Sequence, residues 1–96
     1  MQAPQDRYQP KPFIGSSHWW ALGQCSDFPK TARVLDIGTG SGVIGKALGE
    51  VGFVNLFGVE IDQRAREHCA PHYRVIHPDL TALSDETFDL ILLLDV

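Results

Sequence analysis

Apolar and polar residues alternate in blocks along the chain, and four blocks are short and apolar enough to be β-strands. The blocks lie at 33–37, 55–60, 73–76 and 88–94. The last contains a run of aliphatic residues, which is typical of a strand in the middle of a sheet. Helical segments separate the first three strands, and this alternation predicts a parallel sheet with right-handed crossovers.

Three segments carry helix signals. They are a short segment capped by Ser16 or Ser17 and reaching Leu22, one from Val43 to Val51 with helical periodicity, and one over 64–69 capped by Asp62. Gly52 and Pro71 are placed to end the second and third helices. The sequence therefore predicts an α/β architecture.

The chain divides at about residue 16. Residues 1–15 hold three prolines and little apolar content, which predicts an extended lead-in. Residues 16–96 form the predicted domain, and the chain ends right after its fourth strand. Natural domains seldom end there, so we expect a fragment whose sheet is truncated after that strand. Residues 91–94 would then form an exposed apolar edge, which predicts self-association of the isolated fragment.

Composition and charge exclude several partners. The 96 residues carry a net charge of -4 and no basic patch, which argues against nucleic acid and anionic membranes as partners. No apolar run approaches the roughly 20 residues of a membrane helix, and the polar N-terminus lacks the apolar core of a secretion signal. Cys25 and Cys69 are far apart, and a reduced pair is favoured over a disulfide. We therefore expect a cytoplasmic protein.

A glycine-rich turn carries the candidate chemistry. Gly38, Gly40 and Gly42 lie between the first strand and a helix, and Glu60 ends the next strand, 20 residues after Gly40. Glycines let the backbone approach a ligand closely, and the acid can accept hydrogen bonds from ribose hydroxyls. This spacing predicts a site for a nucleotide-like ligand.

Two classes of ligand fit this turn. Gly40, Gly42 and Gly45 match the dinucleotide-binding fingerprint. However, Asp36 stands two residues before Gly38, and a carboxylate there would repel a pyrophosphate. The same carboxylate suits a ligand that is positively charged, directly or through water. The charge of the site therefore favours a cationic ligand over a dinucleotide.

Four segments resemble, in order, the first four motifs of class I S-adenosylmethionine-dependent methyltransferases. They are VLDIGTGSGVIGKAL at 34–48, GVEID at 58–62, HPDL at 77–80 and FDLILLLDV at 88–96. The resemblance implies a Rossmann-like fold, an open parallel sheet with flanking helices, and S-adenosyl-L-methionine as the cofactor. It covers about residues 33–96, the N-terminal half of such a domain; in the family the other half supplies three more strands and much of the substrate pocket.

The resemblance also implies binding roles. The first motif would hold the methionine portion, the second the ribose, and the third the adenine amino group. The fourth would lie near the reacting methyl group or the substrate. The residues implied are, in that order, Asp36, Gly38, Gly40 and Gly42; Glu60, with Ile61 beside the adenine; Asp79, with Leu80 against the ring; and Asp95.

The implied activity is methyl transfer, and the fourth motif points to a small-molecule acceptor. A sulfonium is already activated, so the protein mainly aligns the reactants. A hydroxyl acceptor would also need a base, but no residue of the chain has a forced location for that role, so the catalytic residue is left unassigned. Two alternatives stay open. One is a nicotinamide-dependent oxidoreductase, against which Asp36 argues, and the other is a non-catalytic S-adenosylmethionine-binding module.

Two pairs of residues receive structural interpretations. His68 and His72 have the spacing of a metal-binding pair, but Pro71 between them breaks the helix, so no metal site is predicted. Trp19 and Trp20 are expected to pack a helix onto the sheet rather than close over the ligand.

Overall fold

The computed structural model describes residues 17–93, with side chains from Ala21 onward. The predicted lead-in over 1–15 lies outside the described residues. The helices and strands, in chain order, are α1 (Ser17–Cys25), β1 (Arg33–Ile37), α2 (Val43–Glu50), β2 (Asn55–Val59), α3 (Gln63–Cys69), β3 (Val75–His77) and β4 (Leu90–Leu92). Two short 3-10 helices, Ala70–His72 and Leu80–Leu83, flank β3.

The four strands form one parallel sheet in the order β3-β2-β1-β4. Ile37 pairs with Val59, and Val59 pairs with His77, so β1, β2 and β3 end at the same level. Asp36 pairs with Leu92 of β4. The turns that follow these strands therefore lie along one edge of the sheet, and the predicted Rossmann-like α/β fold is confirmed.

Residues of the two central strands alternate between two apolar clusters, because successive strand residues point to opposite faces. Val34 and Leu56 pack with residues of the three helices, whereas Leu35 and Phe57 pack with Leu83 on the other face. Full burial of such a side chain contributes about 1.5–3 kcal/mol. Within the described residues, the α-helices that contribute to the core share the first cluster, and the second cluster is capped by a 3-10 helix.

Arg33 fixes β4 beside β1 at the amino end of the sheet. Its backbone N–H donates to Asp89 Oδ2 at 2.8 Å, and the Asp89 N–H donates to the Arg33 carbonyl at 2.8 Å. Its guanidinium donates to Glu86 Oε1 at 2.9 Å and lies over the rings of Phe57 and Phe88. This contact lies at the edge opposite the glycine turn, so it stabilises the sheet away from the candidate site.

The predicted boundaries differ from the observed ones at the third and fourth strands. β4 covers only Leu90–Leu92, whereas the apolar run predicted a strand over 88–94. β3 covers Val75–His77, whereas a strand over 73–76 was predicted. This strand begins at Val75 rather than at Tyr73, because Tyr73 turns its side chain into the helix-covered core. Helix α3 ends at Cys69 as predicted, and Pro71 lies in the 3-10 helix that follows. Asp62 caps α3 as predicted, since its carboxylate accepts from the Ala65 N–H at 2.9 Å.

Cys25 and Cys69 are buried free thiols. Burial raises the pKa of both. None of the helices described in residues 17–93 is long and apolar enough to cross a membrane.

Candidate functional site

The turn after β1 has the backbone conformation that its glycines predict. Gly38, Gly40 and Gly42 have φ angles of 79°, 56° and 85°, all in the left-handed region. The N–H groups of Gly38 and Thr39 both donate to the Val59 carbonyl, at 2.8 and 3.3 Å. These bonds attach the turn to the end of β2 and bring it close to the acid that follows.

Gly42 is also confined by its neighbours. A Cβ at this position would lie 2.6 Å from Cys69 Cβ and 3.1 Å from His72 Cδ2. The residue therefore lets α3 pack against the start of α2, directly behind the glycine turn. Its role combines a positive φ angle with a close approach between two elements.

Glu60 directly follows β2 and closes the turn from the other side. Its Oε1 accepts from the Gly40 N–H at 2.8 Å, and its Oε2 accepts from the Asp62 N–H at 3.1 Å. A carboxylate has further lone pairs, so both oxygens can accept additional bonds from a ligand. A direct hydrogen bond therefore joins Glu60 to the glycine turn.

Arg66 fixes the loop that carries Glu60. Its Nη1 donates to the carbonyls of Glu60 and Ile61, at 2.8 and 3.0 Å. The side chain of Ile61 is 79% exposed at the end of this loop. No sequence signal singles out Arg66, because its side chain contacts backbone atoms.

Asp36 lies at the end of β1, behind the glycine turn, and is only 4% exposed. Its Oδ2 accepts from the Tyr73 hydroxyl at 2.5 Å, and that hydroxyl accepts from the Gly45 N–H at 3.0 Å. Burial and the charge of Asp36 raise the pKa of Tyr73, so the phenol is a neutral donor. The carboxylate of Asp36 therefore lies beneath the turn, in the protein interior rather than at the solvent-exposed surface.

Sequence reasoning missed Tyr73, which it placed only as a strand residue. The ring fills the space beside Gly45: a Cβ on that glycine would lie 2.6 Å from Tyr73 Cε2. A buried acid needs a donor, and a tyrosine at the start of a predicted strand is a suitable one. The two residues are 37 positions apart in the chain, so no local signal links them.

Asp79 and Leu80 follow β3 at the same edge of the sheet. Asp79 caps the second 3-10 helix: its Oδ1 accepts from the Thr81 N–H at 2.9 Å and from the Thr81 hydroxyl. These two bonds lower the pKa of Asp79. Leu80 is 55% exposed. Because His77 pairs with Val59, the segments 60–61 and 79–80 follow neighbouring strand ends.

A cleft of about 660 Å³ lies between the glycine turn and α3. It is lined by Gly40, Ser41, Glu60, Asp62, Arg64, Ala65 and His68. Of the predicted site residues within 17–93, Gly40 and Glu60 line this cleft and the others do not, so the cleft flanks the site. Arg64 and His68 were not predicted to contribute. Residues 17–93 hold no group of three or more histidine, cysteine or acidic side chains placed to bind a metal.

Two expectations fall outside the described part of the chain. Asp95 follows the last described residue, and the side chains of Trp19 and Trp20 precede the first described one. Their predicted roles therefore stay predictions.

The chain matches the family of methyltransferase domains over residues 21–96. No curated protein matches. A structure of a TehB-like S-adenosylmethionine-dependent methyltransferase from Corynebacterium glutamicum is similar, at 26% identity and a TM-score of 0.63, over 83% of this chain and 45% of that one.

Two further structures show the same fold. One is a mutant of MtNAS in complex with S-adenosylmethionine, at 22% identity and a TM-score of 0.64, covering 78% of this chain and 34% of that one. The other is an S-adenosylmethionine-dependent methyltransferase from Thiobacillus denitrificans in complex with S-adenosyl-L-homocysteine, at 23% identity and a TM-score of 0.62, covering 95% and 43%. The chain thus spans less than half the length of each of these proteins.

Proposed function

Since the chain belongs to the methyltransferase domain family, we propose that its glycine turn and the neighbouring strand ends bind S-adenosylmethionine for methyl transfer to a small-molecule acceptor. The observation that carries the proposal is the hydrogen bond from the Gly40 N–H to the Glu60 carboxylate at 2.8 Å. This bond joins the turn whose backbone would approach the ligand to the acid that would accept hydrogen bonds from the ribose hydroxyls.

The charge of the site supports this cofactor over a dinucleotide. Asp36 and Glu60 place carboxylates behind and beside the turn. The methionine portion of S-adenosylmethionine carries an ammonium and a sulfonium, whereas a dinucleotide would bring an anionic pyrophosphate. At about 4 Å, two unit charges interact by roughly 1–4 kcal/mol for effective dielectrics between water and a protein surface. Repulsion of that size opposes dinucleotide binding.

The neighbouring strand ends suit the adenine. Ile61 and Leu80 expose most of their apolar side chains at the ends of β2 and β3. Such side chains can cover the faces of a flat ring. The bonds to Thr81 leave the Asp79 carboxylate with free lone pairs, which would accept a hydrogen bond from the adenine amino group. The cap and the ligand role are compatible, because the cap also holds the carboxylate in place.

When bound, the cofactor supplies a methyl group already activated on a positive sulfur. The residues of this chain would bind, orient and exclude water, which are the tasks that such a transfer requires. We assign no catalytic residue. The resemblance of 88–96 to the fourth motif of small-molecule methyltransferases supports the acceptor class, with Asp95 near the acceptor. A cytoplasmic reaction agrees with the buried free thiols Cys25 and Cys69.

Titration calorimetry on the full-length protein tests the cofactor. We expect S-adenosylhomocysteine to bind and NADH to bind at least tenfold more weakly, which is about 1.4 kcal/mol. Glu60→Ala removes the carboxylate that would accept hydrogen bonds from the ribose hydroxyls. Each hydrogen bond to a charged acceptor is worth about 1.5–3 kcal/mol, so the affinity for S-adenosylhomocysteine should fall at least tenfold. Glu50→Ala is the matched control, because Glu50 is exposed at the far end of α2.

Tighter binding of NADH than of S-adenosylhomocysteine would replace the proposal by the dinucleotide interpretation. The acceptor class is tested with labelled S-adenosylmethionine and a cell extract separated by size. Label in the low-mass fraction supports a small-molecule acceptor, and label in protein or nucleic acid contradicts it. Binding without transfer to any fraction would indicate a non-catalytic module.

A further inference from the structure

Tyr73 lies where three elements of the site meet. This residue precedes β3 and is 8% exposed, and its ring packs against Gly45 in the first turn of α2. Its hydroxyl donates to Asp36 Oδ2 at 2.5 Å and accepts from the Gly45 N–H at 3.0 Å. Because these bonds join the end of β1 to α2, they hold the carboxylate in a fixed place relative to the glycine turn between the two elements.

The direction of these bonds follows from the groups involved. A backbone N–H can only donate, so the phenol oxygen accepts from Gly45 and keeps its single proton for Asp36. Hydrogen bonds from a hydroxyl to a carboxylate are among the strong ones, with lengths of about 2.5–2.7 Å. The raised pKa of Tyr73, caused first by burial and then by Asp36, keeps the donor protonated at neutral pH.

The carboxylate depends on such a donor. Asp36 is almost fully buried, and burial disfavours the charged form of a carboxyl group unless hydrogen bonds compensate. Cys69 from α3 also interacts electrostatically with Asp36, and the raised pKa of this thiol keeps it neutral. The contribution of Tyr73 is therefore a neutral, directed donor that stabilises the negative charge without cancelling it.

We infer that Tyr73 is a positioning residue for the cofactor: through Asp36 it maintains the negative charge that attracts the ammonium group of the methionine portion. The inference rests on the proposed function. It has a selective consequence, because Tyr73 should matter for ligands that carry the ammonium and not for ligands that carry adenosine alone. A residue that only supports packing would affect both kinds of ligand alike.

Tyr73→Phe in the full-length protein tests this, since it removes the hydroxyl and keeps the ring. The two probes are S-adenosylhomocysteine and 5′-methylthioadenosine, which keeps the adenosine and the thioether but lacks the amino acid. We expect the affinity for S-adenosylhomocysteine to fall about tenfold, as for the loss of a hydrogen bond to a charged group. The affinity for 5′-methylthioadenosine should stay within about twofold.

Asp36→Asn provides the second arm and does not depend on the stability of the phenylalanine variant. It should reproduce the same selective loss, and Tyr73→Phe added to it should cause no further loss, because Tyr73 acts through the charge of Asp36. An equal loss for both probes would make Tyr73 a packing residue and overturn the inference, as would no loss for either. Failure of the unmodified protein to bind S-adenosylhomocysteine would instead overturn the proposed function and the inference with it.

Discussion

The three glycines at positions 42, 45 and 49 allow the packing around the glycine turn to be tested by alanine substitution. Gly42 has a φ angle of 85° and directly precedes α2. An added Cβ would lie 2.6 Å from Cys69 Cβ and 3.3 Å from Cys69 Cα, close to the backbone of α3. Gly42→Ala therefore introduces two penalties together, a strained backbone and a steric overlap that a change of rotamer does not relieve.

The magnitude follows from these two penalties. A left-handed conformation costs an alanine about 1–2 kcal/mol, and overpacking of a core costs about 1–3 kcal/mol. The free energy of unfolding should therefore fall by about 2–5 kcal/mol. In a domain of about 150–250 residues, each 1 kcal/mol shifts the melting temperature by about 2–4 °C. We therefore expect Gly42→Ala to lower the melting temperature of a protein of that size by at least about 4 °C.

The other two glycines of the series separate strain from crowding. Gly45 has no positive φ angle, but its Cβ would meet the ring of Tyr73, so Gly45→Ala introduces crowding alone. Gly49 has nothing within 4 Å of an added Cβ, so Gly49→Ala should stabilise α2 by about 0.5–1 kcal/mol.

Thermal and urea unfolding, followed by circular dichroism on the full-length protein, measures the series. The expected order of stability is Gly49→Ala, then the unmodified protein, then Gly45→Ala, with Gly42→Ala lowest. A Gly42→Ala protein as stable as the unmodified one would refute the packing of α3 against the turn. Equal losses for all three variants would mean that the contacts of an added Cβ do not determine the outcome.

Two further predictions concern Asp79 and Tyr73. Asp79→Asn keeps a side-chain oxygen that can accept from the Thr81 N–H, so the stability should change little. The affinity for S-adenosylhomocysteine should fall, because the charged carboxylate would no longer bind the adenine amino group. An unchanged affinity would leave Asp79 as a cap alone. The pKa of Tyr73 is raised from its ordinary value of 10.0, so the folded protein retains a proton that the unfolded chain loses as the pH rises. The stabilisation is complete below pH 10 and should decrease above it, by up to about 1.4 kcal/mol per pH unit from this residue. Urea unfolding between pH 8 and pH 11 should show that decrease in the unmodified protein and a smaller one in Tyr73→Phe, and identical pH dependence would contradict the assignment.

The elements and the glycine turn were predictable because their signals are local. The strand at 33–37 coincides with β1, and α2 begins at Val43 as predicted. Positive φ angles at the glycines and the cap at Asp62 likewise depend on a few consecutive residues. The parallel topology then follows from the order of strands and helices, and it brings Glu60 to the turn without any further information.

The environment of Asp36 was not predictable in the same way. The sequence indicated a carboxylate that meets the ligand, whereas the structure buries it and gives it Tyr73 as a partner. That pairing depends on how far β3 extends and on the space beside Gly45, both of which are settled by packing between elements. Asp79 shows a different difficulty, since an aspartate at this place suits a helix cap, which is observed, as well as the proposed contact with a ligand.

Gly45 explains why a glycine pattern alone does not identify a ligand. In a dinucleotide site, the third glycine of the fingerprint permits close packing between helix and strand. Here the glycine at the same spacing admits the ring of Tyr73, whose hydroxyl bonds to Asp36. The same three glycines therefore allow a close backbone approach in either class of protein. In the site that we propose, the charge held behind the turn would decide which ligand is attracted, and the buried carboxylate of Asp36 would supply that charge.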